Sequence, residues 1–134
     1  MRIPINLLLL WAFPAMAAPT IIGHAGLAPL DPTTVQRIYT GRVVELKGTH
    51  VTPINLPPGH PVRDRFLHLY LDQDEDAYTG YWTVRRYVGK GSPPYEVATP
   101  AEVLRFVSKT AGAIGYVDET DLPPDVNVLL RPPP

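Results

Sequence analysis

The chain has 134 residues, with 17 prolines, no cysteine and a formal net charge of −1. This length suits one domain with a modest hydrophobic core. The lack of cysteine excludes disulfides, thiol catalysis and thiolate zinc sites, and the balanced charge excludes the basic surface typical of nucleic-acid-binding proteins.

The first 17 residues have the features of a secretory signal. Arg2 supplies the positive charge, residues 5–13 form a short apolar stretch, and Ala15 and Ala17 are small residues where a signal peptidase requires them. We therefore predict cleavage after Ala17 and a periplasmic or secreted bacterial protein with no membrane span after cleavage. An uncleaved amino-terminal anchor is the alternative. The predicted organisation is a signal peptide at 1–17, one domain at 18–130 and a proline-rich tail at 131–134.

Beyond the signal, short apolar runs alternate with amphipathic stretches, which predicts an α/β domain. Asp31 and Thr99 are placed to cap helices, and a proline follows each of them in the first turn. Residues 43–46 suit either a loop or a small strand. The predicted strands are 20–23, 51–56, 113–117 and 126–130, and the predicted helices are 30–40, 61–71, 74–88 and one that begins at 100 and is ended by Gly112.

The stretch from 99 to 118 is the clearest α/β unit in the chain. Its helix has an apolar face, a capping-box glutamate at Glu102 and a turn glycine at Gly112 before a short apolar strand. We expect Phe106 on the helix and Ile114 on the strand both to be buried.

Cationic side chains gather where the helix at 61–71 begins. His60, Arg63 and Arg65 at a helix amino terminus could hold a small anion. The alternative is that both arginines are solvated and pair with Asp64 or other acids. The four histidines lack the spacing of a metal site, so no metal and no cofactor are expected.

Two other clusters have competing explanations. Tyr78, Tyr81 and Trp82 could stack on a sugar or base, but their helical spacing favours core packing. The acidic run at 72–76 could bind calcium, but it lacks the spacing of a calcium loop, and helix capping explains it more simply. No catalytic constellation is present around Ser92 or Ser108, so we do not predict an enzyme.

Several segments together resemble one known family. Residues 35–42, Val-Gln-Arg-Ile-Tyr-Thr-Gly-Arg, resemble the helix ending Ile-Phe-x-Gly-Lys in phosphate ABC-transporter substrate-binding proteins. Residues 103–117, which end Ala-Gly-Ala-Ile-Gly-Tyr-Val, resemble their carboxyl-terminal helix and strand, and Phe66, Tyr81-Trp82 and 89–94 also match short members. The resemblance implies a single lobe of a type 2 periplasmic-binding-protein-like fold, with a small central sheet flanked by helices.

The resemblance also locates the positions that grip phosphate in that family, and these positions differ here. The family's arginine falls on Leu56, and its Ser-Gly-Thr turn falls on His60, Pro61 and Val62. We therefore expect a solute- or anion-binding-like accessory protein with weak or lost phosphate binding, whose candidate anion site is His60 and Arg63. The alternative is an envelope interaction or structural module that uses the same lobe without a small ligand.

Overall fold

The computed structural model describes residues 2–4 and 16–134. The apolar stretch at 5–13, on which the predicted signal peptide depends, lies outside these residues. Within them, no helix is both long and apolar enough to cross a membrane.

The described chain alternates strands with helices, as the sequence predicted. The strands are β1 (Pro19–Gly23), β2 (Glu45–Leu46), β3 (Thr49–His50), β4 (Thr52–Asn55), β5 (Tyr95–Glu96), β6 (Ala113–Asp118) and β7 (Asn127–Leu130). The helices are α1 (Pro32–Tyr39), α2 (Pro61–Phe66), α3 (Glu75–Tyr87) and α4 (Pro100–Lys109), with a π-helical segment (Leu67–Leu71) after α2 and a 3₁₀ turn (Glu119–Asp121) after β6.

Five strands form one mixed sheet in the order β5-β4-β6-β1-β7. The pairs β4–β5 and β4–β6 are parallel, whereas β1 runs antiparallel to both β6 and β7. The strands β2 and β3 form a separate small hairpin. At the start of β1, the Ala18 N–H donates to Asp118 Oδ1 at 2.7 Å, which ties the beginning of the domain to the end of β6.

Helices cover both faces of the sheet. Tyr116 of β6 faces α2, where its ring stacks on Phe66 at a centroid distance of 4.0 Å. The next residue back, Gly115, faces α4, because a Cβ there would lie 2.8 Å from the side chain of Val103. Adjacent strand residues point to opposite faces, so the sheet is the middle of three layers.

The predicted α1 and α4 caps form. Asp31 Oδ1 accepts from Thr34 N at 2.7 Å, and Thr99 Oγ1 accepts from Glu102 N at 3.2 Å. The Phe106 prediction needs correction: Ile114 is fully buried, but Phe106 is only partly buried. The buried residues of α4 are Val103 and Val107, which lie nearer the centre of its sheet-facing side.

Candidate functional site

The loop from β4 into α2 positions the predicted anion site. His60 caps α2 through its own side chain, since Nδ1 accepts from the Val62 N–H at 3.1 Å. Pro61 follows as the first helical residue and has no N–H to offer. The exposed amides that would hold an oxyanion at a helix start are therefore reduced to those beyond Val62.

Arg63 lies in the first turn of α2 and is only 3 % exposed. Its Nε and Nη2 donate to the two carboxylate oxygens of Glu75 at 2.6 and 2.7 Å, a bidentate pair. Its Nη1 donates to the Leu56 carbonyl at 3.0 Å and to Glu96 Oε1 at 3.1 Å. All three guanidinium nitrogens are thus bonded within the protein.

This ion cluster carries more negative than positive charge. Burial alone would lower the pKa of Arg63, but the hydrogen bonds and charge of Glu75, with a smaller contribution from Glu96, outweigh it and raise that pKa. One guanidinium serves two carboxylates, so the cluster offers no net attraction to an anion.

A buried polar network continues inward from the end of β4. The Tyr116 hydroxyl donates to Asn55 Oδ1 at 3.0 Å and accepts from the Leu56 N–H at 3.2 Å. The Asn55 amide donates to the Tyr78 hydroxyl at 3.2 Å, and that hydroxyl donates to the Tyr39 carbonyl at 2.9 Å. Burial raises the pKa of Tyr116 and is also the largest influence on Tyr78, whose pKa is raised. The phenols therefore stay neutral and act as fixed hydrogen-bonding groups.

A cleft of about 300 Å³ opens beside this network, between α3 and the segment leading into β5. Its walls include Tyr78, Trp82, Pro93 and Pro94, with Arg63 and Glu96 at the side nearest α2. This volume is at the lower end of what small-molecule sites occupy.

The structure places the sequence-predicted site residues as follows. His60 and Arg63 both lie at the start of α2, but His60 serves as a cap and Arg63 as the centre of an ion cluster. Anion binding by the two stays a prediction. Sequence reasoning missed Glu75 and Glu96, which bind Arg63 from 12 and 33 residues away. It assigned Glu75 to helix capping, and nothing local marks Glu96.

The aromatic cluster on α3 supports the core-packing alternative in part. Tyr78 and Trp82 are buried, and Tyr81 is half-buried with its hydroxyl donating to the Thr40 carbonyl at 2.7 Å. No group of three or more potential metal ligands occurs among residues 2–4 and 16–134.

No protein-family model matches the chain, and no curated protein matches it. Solved structures do. An ABC-type phosphate transport receptor from Vibrio cholerae aligns with a TM-score of 0.66 at 14 % identity over 84 % of this chain. A phosphate ABC transporter substrate-binding protein from Clostridium perfringens, solved with bound phosphate, gives a TM-score of 0.67 at 15 % identity over 84 % of this chain. PstS from Borrelia burgdorferi gives 0.64 at 14 % identity over 85 % of this chain.

These matches define the fold. The chain spans only 44 to 47 % of the length of these three proteins, which are substrate-binding components of transporters. It therefore has the fold of a single lobe of a phosphate-type, periplasmic-binding-protein-like structure, as the sequence resemblance implied.

Proposed function

We propose that this chain is an exported accessory lobe of the phosphate-transporter substrate-binding type in which phosphate binding is weak or lost. The observation that carries the proposal is Arg63. It is the arginine of the predicted anion site, and Glu75 and Glu96 neutralise it. The cap at His60 and the missing amide of Pro61 remove further donors from the same place.

The free energies of hydrogen bonds to phosphate support weak binding. A tight phosphate site needs several converging donors, since each charge-assisted hydrogen bond contributes about 1.5–3 kcal/mol. Here the arginine position of the resemblance holds Leu56, which is fully buried and apolar. With Arg63 already bonded to two carboxylates, only His60 and the remaining amides at the start of α2 are left to attract an anion, and that attraction is shallow and salt-sensitive.

Titration calorimetry with inorganic phosphate at physiological salt tests the proposal. We expect little or no heat from the wild-type protein. Glu96→Gln removes one negative charge from the cluster and leaves the Glu75 pair, so any residual phosphate affinity should rise. A submicromolar dissociation constant that does not change with salt would overturn the proposal and restore a solute-capture role.

The same observation favours a second function of another class. A lobe whose cation is neutralised within the fold can serve as an envelope interaction or structural module with no small ligand. If no oxyanion gives heat and His60→Ala changes nothing, this module becomes the better proposal. Measurable oxyanion binding that His60→Ala abolishes would instead favour the accessory binding lobe.

A further inference from the structure

Two segments of the chain contain cations and no carboxylate. They are the loop at 41–44 after α1 and residues 81–95, which comprise the end of α3 and the stretch into β5. Their cations are Arg42, Arg85, Arg86 and Lys90. In the part of the chain that the structure describes, none of these four side chains forms a salt bridge. The whole chain has a net charge of −1, so this concentration of unpaired positive charge is local.

The two segments meet at the ring of Tyr81. The guanidinium of Arg42 lies 6.0 Å from the ring centroid, and that of Arg85 lies 5.5 Å from it. Arg85 Nη2 also donates to the Gly41 carbonyl at 3.4 Å, and the Lys90 N–H donates to the Arg85 carbonyl at 2.8 Å. Two guanidiniums are thus held beside one ring, and neither is paired with a carboxylate. This arrangement favours a negatively charged partner.

Exposed apolar side chains are concentrated in the same two segments. Apart from Ile3 and Met16, every exposed large apolar side chain that the structure describes belongs to them. These side chains are Val44, Val84, Tyr87, Val88 and Tyr95. Val44 and Tyr95 line the same cavity of about 200 Å³, so apolar residues of the two segments are also adjacent in space. Exposed apolar surface on this scale marks a site of contact with a protein or a membrane.

Not every charge near these segments belongs to one surface. Arg86 lines the cleft on another side of α3 together with Glu96, so these two charges offset each other there. Glu45 directly follows Val44 and is exposed. We call the surface that remains the basic end. Its cations are Arg42, Arg85 and Lys90, its apolar residues are Val44, Val88 and Tyr95, and Glu45 borders it.

We propose that the basic end docks onto a membrane surface rich in anionic phospholipids. A headgroup layer presents many phosphates above an apolar interior, so one partner satisfies the cations and the apolar side chains together. Tyrosine is favoured at this boundary. Each Lys or Arg near an anionic surface strengthens binding about fivefold. With three cations and one bordering carboxylate, we expect a preference of about 25-fold for an anionic over a neutral surface.

This docking surface is separate from the candidate anion site. The basic end adjoins the start of β4, since the Val51 N–H donates to the Val44 carbonyl at 3.0 Å. The start of α2 follows the other end of that strand. A four-residue strand spans about 13 Å, so the two sites lie at opposite ends of β4. The proposal therefore does not depend on whether the protein binds phosphate, and docking would leave the start of α2 facing away from the membrane.

Co-sedimentation of the exported protein with vesicles tests the surface. The readout is the ratio of binding to phosphatidylglycerol vesicles over binding to phosphatidylcholine vesicles, because a retained leader would bind both. We expect a ratio of about 25 at low salt. Raising the salt from about 0.1 to about 1 M should bring the ratio close to one, since the screening length falls from about 10 to about 3 Å. A ratio close to one already at the lower salt would overturn the proposal.

Charge reversal at two places on the domain tests where the membrane binds. Arg42→Glu combined with Lys90→Glu should abolish the preference, because it reverses the sign of the charge of the basic end. Arg105→Glu combined with Lys109→Glu is the matched control: it changes the net charge equally, on α4 at the other face of the sheet. All four side chains are exposed, so both variants should fold. The control should keep the ratio within about twofold. Equal losses in the two variants would show a response to net charge alone and would overturn the surface.

Two further measurements separate a membrane from an acidic protein. Val44→Ser combined with Tyr95→Ser should weaken binding to phosphatidylglycerol vesicles by at least about fivefold, because apolar area is no longer buried in the lipid boundary. Polyglutamate, which offers negative charge without an apolar layer, should displace the protein from these vesicles only weakly. Vesicle binding that is indifferent to the serine variant would overturn the membrane proposal. Displacement by polyglutamate at an equal concentration of charge would overturn it as well, in favour of an acidic protein partner.

Discussion

At the residue scale, Arg63 joins the three elements that surround the candidate site. It connects α2 to Glu75 at the start of α3 and to Glu96 on β5. A side chain that could have bound a ligand instead fixes the relative positions of three elements. This use of an arginine is common where a planar fork meets carboxylates in a buried setting.

Removing the Arg63 guanidinium should therefore lower stability. Arg63→Met leaves Glu75 without its cation, and breaking a buried ion pair typically costs about 3–5 kcal/mol. Because Glu75 and Glu96 keep some contact with water, we expect the lower end, about 3 kcal/mol. Urea unfolding measures this, with the exposed Arg86→Met as the control at less than about 0.5 kcal/mol. Equal midpoints for the two variants would show that the ion cluster contributes little.

Tyr70 gives a pH-dependent prediction. Its hydroxyl donates to the Pro19 carbonyl at 2.8 Å, and burial raises the pKa of Tyr70 to about 12. The folded state then holds this proton more tightly than the unfolded state, so stability falls as the pH rises from the ordinary tyrosine value of about 10 towards 12. Tyr70→Phe loses the hydrogen bond, worth about 1 kcal/mol, at pH 9. The difference between the two proteins should shrink through that window, and a constant difference from pH 9 to 12 would contradict the assignment.

At the element scale, two glycines have opposite effects on the structure around them. One lies in the turn before β6, and the other lies inside α3. Gly112 has φ of +76°, and a Cβ there would lie 2.0 Å from the His50 carbonyl oxygen. Gly80 lies inside α3 with open space around it among the described residues. The same substitution should therefore act in opposite directions at the two positions.

Gly112→Ala should destabilise the protein by roughly 3 kcal/mol, since it adds a left-handed strain to a backbone clash. Gly80→Ala should stabilise it by up to about 1 kcal/mol, because alanine is the better helix former. Thermal unfolding of the two variants beside the wild type decides this. A stable Gly112→Ala protein would mean that the turn into β6 is assigned incorrectly.

Local signals in the sequence predicted most of these elements. The caps at Asp31 and Thr99 and the buried run of β6 follow from neighbouring residues, so they could be predicted without knowing the fold. The two-residue strand β5 was not predicted, because its pairing with β4 is set by the sheet and its own residues are exposed. The prediction that Phe106 is buried was wrong for a similar reason. Helical spacing identifies the apolar face of α4, but only the packed sheet decides which part of that face is covered.

The candidate site was less predictable than the fold. The start of α2 and the presence of His60 and Arg63 there follow from the sequence. The neutralisation of Arg63 does not, since it depends on how α3 and β5 are placed around α2. Contacts between residues far apart in sequence carry no local signature, and these contacts decide whether a cation is available to a ligand.

At the scale of the whole molecule, the predicted leader gives a direct test of export. The sequence predicts cleavage after Ala17, and the described domain begins its sheet at Pro19, immediately beyond that position. Mass spectrometry of the exported protein should therefore give a chain that starts at Ala18. A mass corresponding to a chain that begins at Met1 would support the retained anchor instead.

The hydrogen bond between Ala18 and Asp118 has a consequence for the predicted cleavage after Ala17. In the chain as described, the Ala18 nitrogen is a peptide N–H that donates to Asp118 Oδ1 at 2.7 Å. Partial burial tends to raise the pKa of Asp118, but hydrogen bonds from Thr120, Ala18 and Glu119 outweigh it and lower that pKa. The ionised carboxylate thus stabilises the fold at pH values above the ordinary aspartate pKa. This stabilisation is lost as the pH falls through the lower pKa of the folded state.

Cleavage after Ala17 would turn that nitrogen into an ammonium group beside a carboxylate already in place. The neutral donor would become a charged one, and charge-assisted hydrogen bonds are the stronger kind. Asp118→Asn should then destabilise the processed chain more than the precursor at neutral pH. Equal losses of stability in the processed chain and the precursor would contradict this expectation. If the difference appears, cleavage also strengthens the bond that holds β1 against β6. The fold then reaches its full stability only after the leader has been removed.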